Sequence, residues 1–93
     1  MEKYSLVKTD TKISSGGKLL YRIKAERSFG SVSKGDLGGY IESVKNLHDE
    51  GYSWVAGEAQ VYRDAQVLED AQVYGKAKLN RKDKVYGKDQ VYR

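Results

Sequence analysis

From Val55 onward the chain divides into six-residue blocks: VAGEAQ, VYRDAQ, VLEDAQ, VYGKAK, LNRKDK and VYGKDQ, with VYR after them. Every block opens on an aliphatic residue (Val55, Val61, Val67, Val73, Leu79, Val85), and Val91 continues the series. Position five is alanine at Ala59, Ala65, Ala71 and Ala77, and aspartate at Asp83 and Asp89. An amphipathic helix needs apolar spacing near 3.6 and a half-buried strand needs strict alternation, so a sustained six fits neither. Short fixed periods belong to solenoids, and six is the period of a β-helix. Each block is then one short strand and a bend. The aliphatic residue points inward, the small residue fits the tight interior near the corner, and the others face water.

If three blocks close one triangular coil, residues eighteen apart stack on one another. Position four then sets Glu58 against Lys76, Asp64 against Lys82 and Asp70 against Lys88. Neighbouring strands lie about 4.8 Å apart, and opposite charges in register contribute about 0.2–1 kcal/mol per pair. These ladders would account for the charge gradient. Residues 51–72 carry Glu58, Asp64, Glu69 and Asp70 against Arg63, whereas 73–93 carry Lys76, Lys78, Arg81, Lys82, Lys84, Lys88 and Arg93 against Asp83 and Asp89. An acidic coil beneath a basic one weakens the case for a nucleic-acid patch. Asp83 and Asp89 take the inward position that Ala65 and Ala71 hold one coil earlier. A buried, unpaired carboxylate is costly, so the last coil is expected to be an open end, where Asp reaches water or caps backbone amides. Val85, Val91, Tyr86 and Tyr92 lie on that coil. Its uncapped edge is expected to be an interface, with a second copy or with a partner.

Before the repeat, YSLVKTDTKIS and KLLYRIKA flank Ser15-Gly16-Gly17 and read as a β-hairpin over residues 1–25. Leu19, Tyr21, Ile23 and Ala25 alternate with Leu20, Arg22 and Lys24, as in a half-buried strand with a basic outer face. Residues 26–40 are glycine-rich and read as loop with short extended pieces; no GxxxxGK[ST] phosphate loop occurs in them. Ile41 and Leu47 lie six apart and suit a first, irregular coil, with two extra residues before Val55. A short helix through 43–50 is the competing reading. The expected architecture is all-β: a short hexapeptide β-helix of about three coils with an N-terminal β-hairpin. Residues 1–40 form the hairpin and glycine-rich loop, and 41–93 form the solenoid, in one compact domain.

Ninety-three residues give a single domain with a modest core. The absence of cysteine excludes a disulfide framework and any cysteine-based metal site. No stretch has signal-peptide character, and no apolar run approaches the ~18 residues of a membrane span. The expected location is the cytoplasm, with no membrane partner.

The stretch LYRIKAERSFGSVSKGDLGGYIESVKNLHDEGYSWVAGEAQVYRDAQV resembles a family of small bacterial and bacteriophage proteins. Their pattern runs RIKA…FG.V..GDLGG(W/Y)IE...NL..EG..WV.G.A.VYG.A.V, and the match covers about residues 20–79. The resemblance implies a left-handed β-helix behind a small N-terminal β element, and a prophage origin. Longer members carry many GNAxVYG blocks, whereas this chain has six, with Arg-Asp, Glu-Asp and Gly-Lys where Gly-Asn is usual. It implies the fold and carries little about activity.

Hexapeptide β-helices include acyltransferases and trimeric carbonic anhydrases, both of which need histidine as base or metal ligand. His48 is the only histidine. Asp49 and Glu50 follow it, and a solvated loop is the plainer reading of that run. Asp36, Glu42, Asp49 and Glu50 show no spacing that selects a catalytic pair. The expectation is a non-enzymatic protein with no cofactor and no metal. Tyr62, Tyr74, Tyr86 and Tyr92 occupy position two, which faces outward; mixed with Lys and Arg they could stack on bases, yet the eighteen-residue stack spreads them over three faces. Tyrosine is also favoured at protein interfaces. The expected binding residues are Tyr74, Arg81, Lys82, Lys84, Tyr86, Tyr92 and Arg93, where aromatics and positive charge coincide. The expected partner is a protein, either a host complex or a second copy forming a homodimer through the C-terminal coil end, with nucleic acid second. With the resemblance, one specific version is a phage inhibitor of a host defence complex, of anti-CRISPR type.

Overall fold

The computed structural model describes residues 2–93. The chain is all-β, with one 3-10 turn at Val44–Asn46. Strands β1 (Tyr4–Ile13) and β2 (Leu19–Ala25) form an antiparallel hairpin. Its turn closes through hydrogen bonds from Gly17 N to Ser14 O and from Ser14 N to Lys18 O, both 2.9 Å, and Gly17 supplies φ +82°. β2 pairs antiparallel with β3 (Leu37–Ile41). Seven short strands follow at the repeat positions: β4 (Trp54–Val55), β5 (Gln60–Val61), β6 (Gln66–Val67), β7 (Gln72–Tyr74), β8 (Lys78–Leu79), β9 (Lys84–Val85) and β10 (Gln90–Tyr92).

These strands stack in parallel as β3-β5-β8, β4-β7-β10 and β6-β9, and the antiparallel β1 and β2 extend the first into the order β1-β2-β3-β5-β8. Val55 pairs with Val73, Val61 with Leu79, Val67 with Val85 and Val73 with Val91, each pairing spanning the expected eighteen residues. Beneath them Ile41 pairs with Val61 and Leu47 bridges to Val67, each twenty residues apart. The rung containing Ile41 and Leu47 is therefore two residues longer than those above it. It carries both the coil and the single helical turn that the sequence left open. Three inward ladders result: Ile41–Val61–Leu79, Leu47–Val67–Val85 and Val55–Val73–Val91. Relative exposure is 0–1% in the first two rungs, rises to 9% at Leu79 and 6% at Val85, and Val91 is half-buried. Each fully buried valine contributes roughly 2 kcal/mol of transfer free energy, so the lower rungs carry most of the stability.

Position three explains the bends. Gly57, Arg63, Glu69, Gly75, Arg81 and Gly87 all have φ between 57° and 74°. All but Gly75 are the second residue of a tight turn closed by a hydrogen bond from position five, as in Ala59 N to Ala56 O (3.3 Å) and Ala71 N to Leu68 O (3.1 Å). Such turns favour glycine or asparagine. Arg63, Glu69 and Arg81 adopt the conformation without that freedom, which costs about 1–2 kcal/mol per residue. Position five is buried at all four alanines, because the turn carries it over the interior.

The glycine-rich stretch holds short extended pieces, the Phe29–Val32 bridge and the start of β3, and Gly38 and Gly39 are buried. A Cβ on Gly39 would meet the Ala59 carbonyl oxygen at 2.6 Å, and one on Gly38 would meet the Val55 carbonyl oxygen at 2.4 Å. The two glycines let β3 lie flat against the repeat, and β3 crosses the boundary expected at residue 40. Asn46 fixes the irregular rung. Its buried side chain accepts from Glu42 N (3.1 Å) and Ser43 N (2.9 Å) and donates to Arg63 O (3.1 Å) and Ala65 O (2.8 Å).

Two assignments change, one inward and one outward. Leu20, not Leu19, is buried: Leu19 is 43% exposed. Tyr62 is buried although position two faces away from the coil axis. Leu20, Tyr40 and Tyr62 pack together as a second small cluster outside the main core, where the hairpin covers one face of the stack.

Candidate functional site: the last coil

Strands β8, β9 and β10 each terminate their stack. Between them, Leu79, Val85 and Val91 form an aliphatic floor ringed by Lys78, Lys84 and Arg93, around a cavity of about 260 Å³. Asp83 and Asp89 are exposed here, in contrast to the buried alanines one coil below. The Asp83 carboxylate accepts a hydrogen bond from the Asn80 backbone N–H at 3.1 Å, the amide-capping role expected of it. Another rung of this repeat stacked on top would enclose both carboxylates, at a cost of several kcal/mol each.

The expected binding residues all lie on or against this coil, distributed around its sides. Tyr74 on β7 and Tyr92 on β10 pair directly, ring centroids 5.0 Å apart, and the Tyr74 hydroxyl donates to Gln90 Oε1 at 3.1 Å. Tyr86 is exposed beyond β9, which carries Lys84; Arg81 and Lys82 form the bend before it; Arg93 follows β10. The aromatics are thus one stacked pair and one separate ring, while the cations encircle the end. Lys78 also belongs to the ring and was not among the expected residues. Its signal was present, since position six changes from glutamine in the first three blocks to lysine at Lys78 and Lys84.

The charge ladders do not form. Glu58 pairs with Lys12 and, at 3.3 Å, with Arg22; Asp64 pairs with Lys45 at 3.0 Å; Asp70 Oδ1 accepts from Tyr52 N at 3.1 Å. The hairpin and irregular rung thus engage the acids that should have lain beneath the basic coil. Arg22 also bonds Asp10 (2.8 Å), Gly38 O (2.8 Å) and the Tyr40 hydroxyl (2.6 Å), and Tyr40 donates to Asp10 at 2.9 Å. The Lys12 hydrogen bond, reinforced by Arg22, holds the Glu58 carboxyl below its ordinary range. Tyr40 and then Arg22 do the same for Asp10. Among the described residues, no ion pair involves Lys76, Lys78, Arg81, Lys82, Lys84, Lys88 or Arg93. Residues 73–93 thus hold these seven cations against Asp83 and Asp89, a surplus of five on a chain of net charge +4, and the Glu69 carboxylate of the rung below accepts from Gly87 N at 3.3 Å.

His48 is exposed in the irregular rung, its backbone N–H bonded to Val67 O at 3.0 Å. Among the described residues no three His, Asp or Glu side chains converge on a metal-sized site. No helix among them is long and apolar enough to cross a membrane. Compared with known proteins, the chain matches no family model and no curated sequence.

Proposed function

We propose that the protein is a non-enzymatic binding module, a left-handed hexapeptide β-helix of about three coils. Its last coil docks an acidic surface of a protein partner. The carrying observation is the unneutralised ring of Lys78, Arg81, Lys82, Lys84 and Arg93 around an aliphatic floor, flanked by Tyr86 and the Tyr74–Tyr92 pair. Apolar centre, aromatic anchors and charged rim are the parts of a protein interface, and a surplus of one sign speeds encounter with the opposite one. The family resemblance supports a prophage origin and a cytoplasmic site of action. An inhibitor of a host defence complex, anti-CRISPR in type, is the specific form of this reading.

A second reading, nucleic-acid binding, is favoured by the Tyr74–Tyr92 pair beside these cations. Self-assembly through the same end, as a homodimer, is a third, and a charge at Val91 would disperse it. Capture from bacterial extract separates them. The protein reading predicts a nuclease-resistant complex that Tyr86→Ala and Arg81→Glu each weaken at least tenfold. Loss of the complex on nuclease treatment, with affinity falling steeply with salt as counterion release requires, would replace it with the nucleic-acid reading. Retention of the complex by both variants would place the interface elsewhere.

A further inference from the structure

The opposite edge of the molecule carries its own free strand edge. β1 is the outer member of its sheet. Ala25, which faces Tyr4, directs its N–H to Asp36 O and its C=O to Gly35 N, both at 2.8 Å and both away from β1. Tyr4↔Ala25 is therefore a non-hydrogen-bonded antiparallel pair, and the backbone N–H and C=O of Tyr4 point outward. Two residues on, Leu6↔Ile23 repeats the geometry, so Leu6 also presents both groups to the free edge. These outward positions border a groove of about 630 Å³ lined by Tyr4, Leu6, Lys8, Val44, Leu47 and Leu68. Val44 is 67% exposed there.

Native proteins usually blunt such an edge with charge or a bulge. Here the register shift lies between Val7 and Thr11, which leaves Tyr4–Val7 regular and uncharged. Lys3, next to Tyr4, is turned into the core, where its Nζ bonds Ser53 O, so the exposed flanking charges are Glu2 on one side and Lys8 on the other. We propose that this edge pairs with the same edge of a second copy, antiparallel, about a two-fold axis at Ser5. In that register Tyr4 faces the second copy's Leu6 in a hydrogen-bonded pair, and Leu6 faces its Tyr4, using all four outward groups of each chain. Glu2 then faces Lys8 of the other copy on both sides of the axis. A two-fold contact must be self-complementary, and Glu2, Tyr4, Leu6 and Lys8 satisfy that in both hydrogen bonding and charge. The interface lies away from the last coil and leaves both basic ends free.

Light-scattering mass across a concentration series tests it on the full chain. Wild type is expected to dimerise, more weakly in high salt. Lys8→Glu sets like charges opposite each other and should weaken the dimer at least fivefold; Glu2→Lys with Lys8→Glu together should restore it. Leu6→Pro removes an outward N–H, tolerable on an edge strand, and should give a monomer with unchanged circular dichroism. Val91→Asp, at the last coil, should leave the dimer intact. A wild-type monomer up to its solubility limit would overturn the proposal. So would a dimer that survives Leu6→Pro, one lost with Val91→Asp, or a charge swap that fails to rescue.

Discussion

Gly39 shows how a single missing Cβ sets the position of a strand. With the Ala59 carbonyl oxygen 2.6 Å and Val55 Cγ1 2.8 Å from where a methyl would sit, even alanine forces β3 off the repeat. Tyr40 N, which donates to Ala59 O at 2.9 Å, would move with it. Gly39→Ala is expected to cost about 1–3 kcal/mol, the usual penalty for overpacking, read as a lower urea midpoint. The sequence shows this glycine pair plainly but not its role. Two adjacent glycines suit a turn as well as a close approach, and the atoms that decide between them belong to Val55 and Ala59. Tyr62 and Leu20 are hidden for the same reason, because what buries them is a hairpin remote in sequence. The aliphatic and alanine positions of the repeat are legible because each block restates them and the contact is with the same position eighteen residues away. The charge ladders failed because stacking fixes which backbones are neighbours but not which cation a flexible carboxylate prefers. Lys12, Arg22 and Lys45, arriving from outside the repeat, took Glu58 and Asp64.

At the scale of elements, the N-terminal hairpin closes one end of the stacks. Tyr4, Ile23, Phe29, Val32 and Trp54 join the main core there, with the Phe29 and Trp54 rings edge to face at 5.3 Å. The Tyr4 hydroxyl donates to Leu47 O at 2.6 Å, and burial raises its pKa. Lys3 lies in the same plug, fully buried, its Nζ donating to Ser53 O (2.9 Å) and Ser53 Oγ (3.0 Å), with the Phe29 ring centroid 5.2 Å away. Burial lowers its pKa from 10.5 to about 8, against the opposing pull of Asp49. Between these two values the unfolded chain binds more protons than the folded one, so this contribution to stability rises with pH. It should be worth about 2 kcal/mol across pH 8 to 10. Above pH 10 the raised Tyr4 pKa acts in the opposite sense, because only the unfolded tyrosine ionises there. Urea unfolding of wild type and Lys3→Met as a function of pH checks this. The wild type should gain on the variant from pH 8 to 10, and a constant difference would mean that Lys3 titrates alike in both states.

Across the whole molecule the two ends are unlike. The N-terminal end is plugged by aromatics and laced by ion pairs that engage Asp10, Glu58 and Asp64. The last coil keeps an aliphatic floor, two exposed aspartates at positions otherwise held by alanine, and cations without carboxylate partners. Position in the fold thus turns a mild net charge into a concentrated basic surface. That surface is the proposed binding face. The most direct test is to follow backbone amide NMR shifts of the intact chain during titration with poly-L-glutamate, a probe for acidic protein surfaces, and to repeat the titration with Arg81→Glu. The predicted result is a set of shifts concentrated in residues 78–93 and centred on Lys84, Tyr86 and Arg93, reduced at least fivefold in the variant. Shifts centred instead on Lys8, Lys18 and Lys24, or an unchanged response in Arg81→Glu, would contradict it.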